Sequence, residues 1–153
     1  MSIEHVGTRV GPGKAEKRVL LLAADLFEDM ELLYPLYRLR EEGVLVTVAG
    51  VDDAPVKGKK GHGPVRVDTT VDRLAESEFD ALVIPGGFAP DTLRRSPTVL
   101  ALVRSFDDAE KPIAFICHAW LGADLGPDPA GTAGDKCGRN SGRHGQRRGG
   151  LGR

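Results

Sequence analysis

The chain alternates short runs that are apolar nearly throughout with longer stretches where apolar residues recur every three or four positions. Residues 18–24, 44–49, 79–84 and 113–116 are of the first kind. Runs this short and this rich in leucine, isoleucine and valine mark strands buried on both faces of a parallel sheet. Between the first two runs, Leu32, Leu36 and Leu39, with Leu33 on the flank, fall on one helical face that ends at Gly43. A glycine there is placed to cap the helix. Pro35 fits such a helix only near its start, or else kinks it. Strand, helix of about a dozen residues and strand compose a βαβ unit, whose crossover is right-handed. Residues 51–70 are richer in glycine, lysine and aspartate and form an excursion in which 65–67 reads as a short strand. Residues 91–93 and 97–108 read as helix, with Ser96 capping the second and Pro97 in its first position. The pattern predicts an α/β domain on a mostly parallel sheet.

Composition changes this picture in one place. The 153 residues carry a formal net charge of −1, which gives no reason to expect a nucleic-acid or membrane partner. Residues 1–118 hold 15 of the 21 Lys and Arg and 19 of the 22 Asp and Glu, so the remaining 35 residues are net positive; they also hold 10 of the 20 glycines. Their only large apolar side chains are Trp120, Leu121, Leu125 and Leu151. Three parts are therefore expected: a loose polar extension over 1–17, the α/β domain over 18–125, and a disordered Gly/Arg-rich tail over 126–153. That tail has too few apolar side chains to offset its ordering entropy. No run approaches the roughly 20 apolar residues of a membrane span. Two cysteines without a signal peptide point to a reducing cytoplasm.

The candidate chemistry gathers where strands end. Residues 111–120 run from Pro112, suited to a strand's first position, through four apolar residues to Cys117 and His118. With a helix starting near Ala119, Cys117 sits on the strand–helix turn, where unpaired N–H groups and the helix dipole favour a thiolate. This is the logic of a nucleophile elbow with sulfur in place of a hydroxyl. The competing reading is one more buried, inert cysteine. Gly86 and Gly87 close the preceding strand; they permit close backbone approach and can offer N–H groups to an oxyanion, or simply make a tight turn. The loop over 25–29 has no glycine, which argues against a dinucleotide or phosphate fingerprint. Glu28, Gly86, Gly87 and Cys117 all follow strand carboxyl ends, where open α/β sheets bind ligands. Lys57, Lys59 and Lys60 read as a solvated surface run, and His62 as an exposed loop histidine.

Three separated segments make the chain recognisable. Residues 24–32 (Ala-Asp-Leu-Phe-Glu-Asp-Met-Glu-Leu), 85–91 (Pro-Gly-Gly-Phe-Ala-Pro-Asp) and 114–119 (Ala-Phe-Ile-Cys-His-Ala) closely resemble the PfpI family. That family holds intracellular proteases, general stress proteins and protein deglycases of the class I glutamine amidotransferase-like superfamily. The resemblance covers about residues 18–120. It implies a flavodoxin-like three-layer sandwich, a homodimer or larger homo-oligomer, and a cysteine-dependent hydrolase or deglycase that needs no metal and no cofactor. Carried across, Cys117 is the elbow nucleophile and Glu28 the carboxylate beside its sulfur, with a pKa raised by desolvation and by the neighbouring anion. His118 corresponds to the histidine that follows the nucleophile. Asp91 stands where the most similar members carry a glutamate that orients this histidine from a neighbouring subunit, and it is one methylene shorter. Gly86 and Gly87 correspond to the oxyanion donors, with the His118 amide as a further candidate.

The implied substrate is a small-molecule carbonyl, a glycated adduct or a peptide. The alternative is a non-catalytic redox sensor whose Cys117 stops at sulfenic or sulfinic acid. After Trp120 the resemblance ends. Members continue with a hydrophobic helix, further strands and a closing helix, so the fold is expected to be truncated here. The Gly, Arg, Ala and Pro content that follows matches an out-of-frame reading of a GC-rich gene. Arg147-Arg-Gly-Gly150 resembles a disordered RNA-binding tail but has no interleaved aromatic residue, and Cys137 with His144 lacks a second pair of metal ligands.

Overall fold

A computed structural model describes residues 16–122, with side chains as far as Ala119. Five strands, β1 (Arg18–Leu22), β2 (Leu45–Gly50), β3 (Thr69–Thr70), β4 (Ala81–Ile84) and β5 (Ile113–Phe115), form one sheet in the order β3-β2-β1-β4-β5. Every pairing is parallel. Helix α1 (Asp29–Glu41) joins β1 to β2, while α2 (Ala89–Leu93) and α3 (Pro97–Asp108) lie between β4 and β5. The chain thus builds outward from β1 to one edge, then returns to the other side of β1 for β4. Crossovers running in opposite directions put α1 and α3 on opposite faces when both are right-handed. The expected three-layer, flavodoxin-like architecture is borne out.

Burial follows the apolar pattern. Leu20, Leu21 and Leu22 of β1 are fully buried, α1 contributes Leu32, Leu33 and Leu36, and α3 contributes Val99, Leu102, Val103 and Phe106. Gly43 ends α1 as expected: at φ +78° its N–H reaches Arg40 O (3.0 Å) and that of Val44 reaches Leu39 O (3.0 Å). This pair of bonds is a Schellman motif. Ser96 caps α3, its Oγ accepting from Val99 N at 3.4 Å. Pro35 lies in the middle of α1 rather than near its start. Lacking an N–H, it leaves the carbonyl of Glu31 without its helical donor.

Two expectations about strands fail. Residues 65–67 do not join the sheet; Val65 makes only an isolated antiparallel bridge with Val56. Asp68 takes the next position, its N–H donating to Val48 O (2.8 Å) and its carboxylate accepting from Val48 N (2.9 Å), so parallel pairing starts only at Thr69. Residues 113–116 are not buried on both faces either: Ala114 and Ile116 are exposed. In the described sheet β5 is the outermost strand on that side. Among the described residues no helix is long and apolar enough to cross a membrane, and no group of side chains has the composition of a metal site. The readings for the N-terminal extension, the Gly/Arg-rich tail, Cys137 and His144 fall outside the described residues.

Candidate functional site

The strand order reverses between β1 and β4, and their carboxyl ends open the crevice where such sheets bind ligands. Three loops meet there. Fully buried Phe27 bridges Gly58 on one side and Gly87 on the other. Hydrogen bonds from Lys59 N to Phe27 O (2.9 Å), Glu28 N to Gly86 O (3.2 Å) and Phe88 N to Leu26 O (2.9 Å) hold the three strips together. Gly86 backs directly onto the elbow. A Cβ on it would lie 2.6 Å from Glu31 Oε2, 2.7 Å from Cys117 Cβ and 2.9 Å from Ile116 O. Glu31 and Cys117 therefore converge on the bare face of Gly86.

Cys117 is exposed and has φ +59°, so the reading of a buried cysteine is excluded. A non-glycine residue in the left-handed region holds roughly 1–3 kcal/mol of strain, which the surrounding packing must sustain. The elbow leads into a 3-10 turn, Cys117–Gly122, and not into the α-helix expected from Ala119. His118 is exposed beside it.

Glu28 departs from its expected place. Its carboxylate, 14% exposed, ion-pairs with Lys59 Nζ and, at 3.0 Å, with Lys60 Nζ. Hydrogen bonds from Lys59 and then Lys60 outweigh burial and hold its pKa below the ordinary carboxylate value, not above it. Lys59 and Lys60 are accordingly no idle surface run, whereas Lys57 is exposed as expected. The ion pair with Glu28 raises the Lys59 pKa against the opposing effect of burial, with smaller contributions from Cys117 and Glu31. The carboxylate at the elbow is Glu31, whose Oε2 accepts from Gly86 N at 2.9 Å. It lies three residues beyond Glu28, in the first turn of α1. Helical side chains lean toward the helix N-terminus, and that lean carries Glu31 back to the crevice.

The amides sort in the same way. The Gly86 N–H is taken by Glu31, which corrects its expected role as a free oxyanion donor. Among the described residues the Gly87 and His118 N–H groups have no acceptor. Asp91 is 58% exposed at its side chain and ion-pairs with Arg94 at 2.9 Å, at an angle that leaves Arg94 Nη2 without a hydrogen bond. No hydrogen bond or ion pair joins Asp91 to His118 among the described residues.

Asp29 fixes the lysine-bearing loop. It is buried, and its two carboxylate oxygens accept from Lys60 N (Oδ2) and His62 N (Oδ1), each at 3.0 Å. Gly58 leaves the room this requires, since a Cβ there would meet the carboxylate at 2.5–2.7 Å. Burial pushes the Asp29 pKa up, but the N–H donors of Lys60, His62 and Asp29 itself outweigh it, leaving the group below its ordinary value. A folded pKa below the unfolded one, about 3.9, contributes stability above pH 4 that is lost as pH falls through the folded value. Asp29→Asn replaces one acceptor by a donor facing an N–H. It should lower the melting temperature at pH 7 by roughly 5 °C or more and flatten the acid limb of stability between pH 5 and 2. Thermal melts across that range check both effects; an unchanged acid limb refutes the assignment.

The parallel doubly wound sheet defines a flavodoxin-like domain, with Cys117 in the left-handed region just past the end of β5. The DJ-1/PfpI family profile matches residues 17–125, and the chain belongs to that family. It is 44% identical over 101 residues to deglycase PfpI of Pyrococcus furiosus, covering 66% of this chain and 60% of the relative. Protein/nucleic acid deglycase 2 of Escherichia coli and general stress protein 18 of Bacillus subtilis are each 38% identical over 103 residues, covering 67% of this chain and 60% of each relative. The chain thus spans about 60% of the length of these curated relatives. Among solved structures, Drosophila melanogaster DJ-1beta superposes with a TM-score of 0.66 at 32% identity, covering 71% of this chain and 59% of that one. A two-domain protein from Anabaena variabilis with DJ-1/ThiJ/PfpI-like and ferritin-like domains gives 0.69 at 36% identity, covering 72% and 33%.

Proposed function

We propose that the crevice serves a cysteine-dependent deglycase or glyoxalase-like hydrolase acting on reactive carbonyls, glycated adducts or peptides. The observation that carries this reading is the exposed Cys117 at φ +59°, whose Cβ and the Glu31 carboxylate both lie against the bare face of Gly86. A thiolate attacks a carbonyl carbon, the C–S bond forms, and the carbonyl electron pair moves to oxygen as a hemithioacetal oxyanion. The amides of Gly87 and His118, which have no acceptor among the described residues, are the candidate donors to that oxygen. His118 is the adjacent base, and Asp91 orients it only across a boundary between copies in a homodimer or larger assembly. For methylglyoxal, a proton shift from the aldehyde carbon to the ketone carbon gives a thioester, and water releases lactate. The rearrangement is internal, so no oxidant and no cofactor are required.

The exposure of Cys117 also favours a second reading, a redox sensor whose thiol is oxidised by peroxide without turnover. Methylglyoxal consumption with stoichiometric lactate separates the two. Turnover abolished by prior alkylation of Cys117 supports the enzyme. Absence of turnover, with sulfinic acid accumulating at Cys117 under peroxide, supports the sensor.

A further inference from the structure

Lys59 and Lys60 are the charged groups of this crevice that the proposed chemistry does not use. Their position follows from the backbone. Lys59 is hydrogen-bonded to Phe27, Phe27 is bridged to Gly87, and the adjoining Gly86 touches both Cys117 and Glu31. Both ammonium groups are drawn onto one carboxylate, that of Glu28, which can neutralise only one of them. Lys60 keeps 68% of its side chain in solvent and Lys59 35%, so both can still meet a ligand. Asp29 anchors the same loop through the Lys60 and His62 amides, so the cations are held over the crevice by a buried hydrogen-bonded tether. The Glu31 carboxylate is already engaged by the Gly86 amide.

We propose that Lys59 and Lys60, gathered on Glu28 beside the elbow, form an anion-selecting rim, so that the preferred electrophile carries a carboxylate next to its reactive carbon. This names a substrate class within the proposed deglycase reading and rests on it for function. The rim itself is measurable without turnover. The carboxylate-bearing end of a glycated amino acid has the required form, with the reactive carbon at Sγ, the amine as leaving group and the anion at the lysines. Glu28 and Glu31 together balance the two lysines in formal charge, so selection rests on position: the ammonium groups lie further into solvent than the Glu28 carboxylate, and they should favour an anionic over a neutral electrophile by roughly three- to tenfold at moderate ionic strength.

Iodoacetate and iodoacetamide test the rim directly. The two reagents have nearly the same shape and lose iodide to the same thiolate, and only the first is an anion. Their rate constants at Cys117 are read in the full chain from the mass of the Cys117 peptide, which also separates it from Cys137. The ratio of iodoacetate to iodoacetamide rates cancels any change in the thiol itself. Lys59→Met and Lys60→Met should each lower that ratio about three- to tenfold, whereas Glu28→Gln should raise it. Salt at about 0.5 M should shrink the differences. Lys60 is mostly in solvent, so its variant reports even if Lys59→Met fails to fold. An unchanged ratio in Lys60→Met, or a fall in Glu28→Gln, overturns the proposal. The shifts seen without methylglyoxal turnover would keep the rim and sink the deglycase reading; turnover with a charge-blind ratio would do the reverse.

Discussion

Cys117→Ser should lower kcat/KM for methylglyoxal by about 10^4 or more, while the protein still folds. Removing the nucleophile from a catalytic unit elsewhere costs about 10^4–10^6, because a residue that forms the covalent bond has no substitute. Serine is nearly isosteric with cysteine, but its hydroxyl stays protonated at neutral pH and is a far weaker nucleophile than a thiolate. The side chain at 117 is exposed, so the exchange removes little packing. Glu31→Gln keeps an oxygen for the Gly86 N–H and removes the charge from the elbow. It should cost less than Cys117→Ser and should change the pH profile of turnover. Steady-state kinetics with circular dichroism on the same samples check both. Residual activity in Cys117→Ser within tenfold of the parent would remove Cys117 from the mechanism.

How much of this was legible in the chain depended on the range of the interactions involved. β1, β2 and β4 sit close to their apolar runs, because parallel strands covered on both faces need apolar residues at nearly every position. The ends of α1 and α3 were legible because Gly43, Ser96 and Pro97 act on their immediate neighbours. Residues 65–67 misled for the opposite reason. Val65 and Val67 alternate as a strand does, but Asp68, through its bonds to Val48, sets where pairing begins. The choice between Glu28 and Glu31 was beyond a motif. Both lie in one helical turn, and which of them reaches Gly86 beside Cys117 depends on where Lys59 and Lys60 return after the excursion. Those lysines looked like a solvated run because the carboxylate they meet is about thirty residues away. A signal for Glu31 did exist: as the third residue of a helix whose side chains lean toward its N-terminus, it faces the strand ends.

Gly87→Ala should be the most damaging single-atom-scale change in the domain, costing on the order of 3–5 kcal/mol. Two effects combine at that position. Its φ of +80° lies in the left-handed region, where an L side chain costs about 1–2 kcal/mol. The added Cβ would also sit 2.4 Å from Glu28 N, 2.6 Å from Leu26 O and 2.7 Å from Phe27 C. All three are backbone atoms of the strip that binds Gly87 on one side and Gly58 on the other, so no side chain can rotate away to relieve the contact. Either the Leu26–Glu28 strip moves, parting Glu28 and Lys59 from the elbow, or the Gly86–Phe88 strip moves and takes the Glu31 contact with it. Gly61 separates strain from collision. It has φ +89° with nothing within 4 Å of an added Cβ, so Gly61→Ala meets the backbone penalty alone and should cost about 1 kcal/mol. Thermal melts should therefore place Gly87→Ala about 15 °C or more below the parent and Gly61→Ala only several degrees below. Equal losses in the two variants would mean that the three loops do not close on one another at Gly87, and the crevice would have to be redrawn.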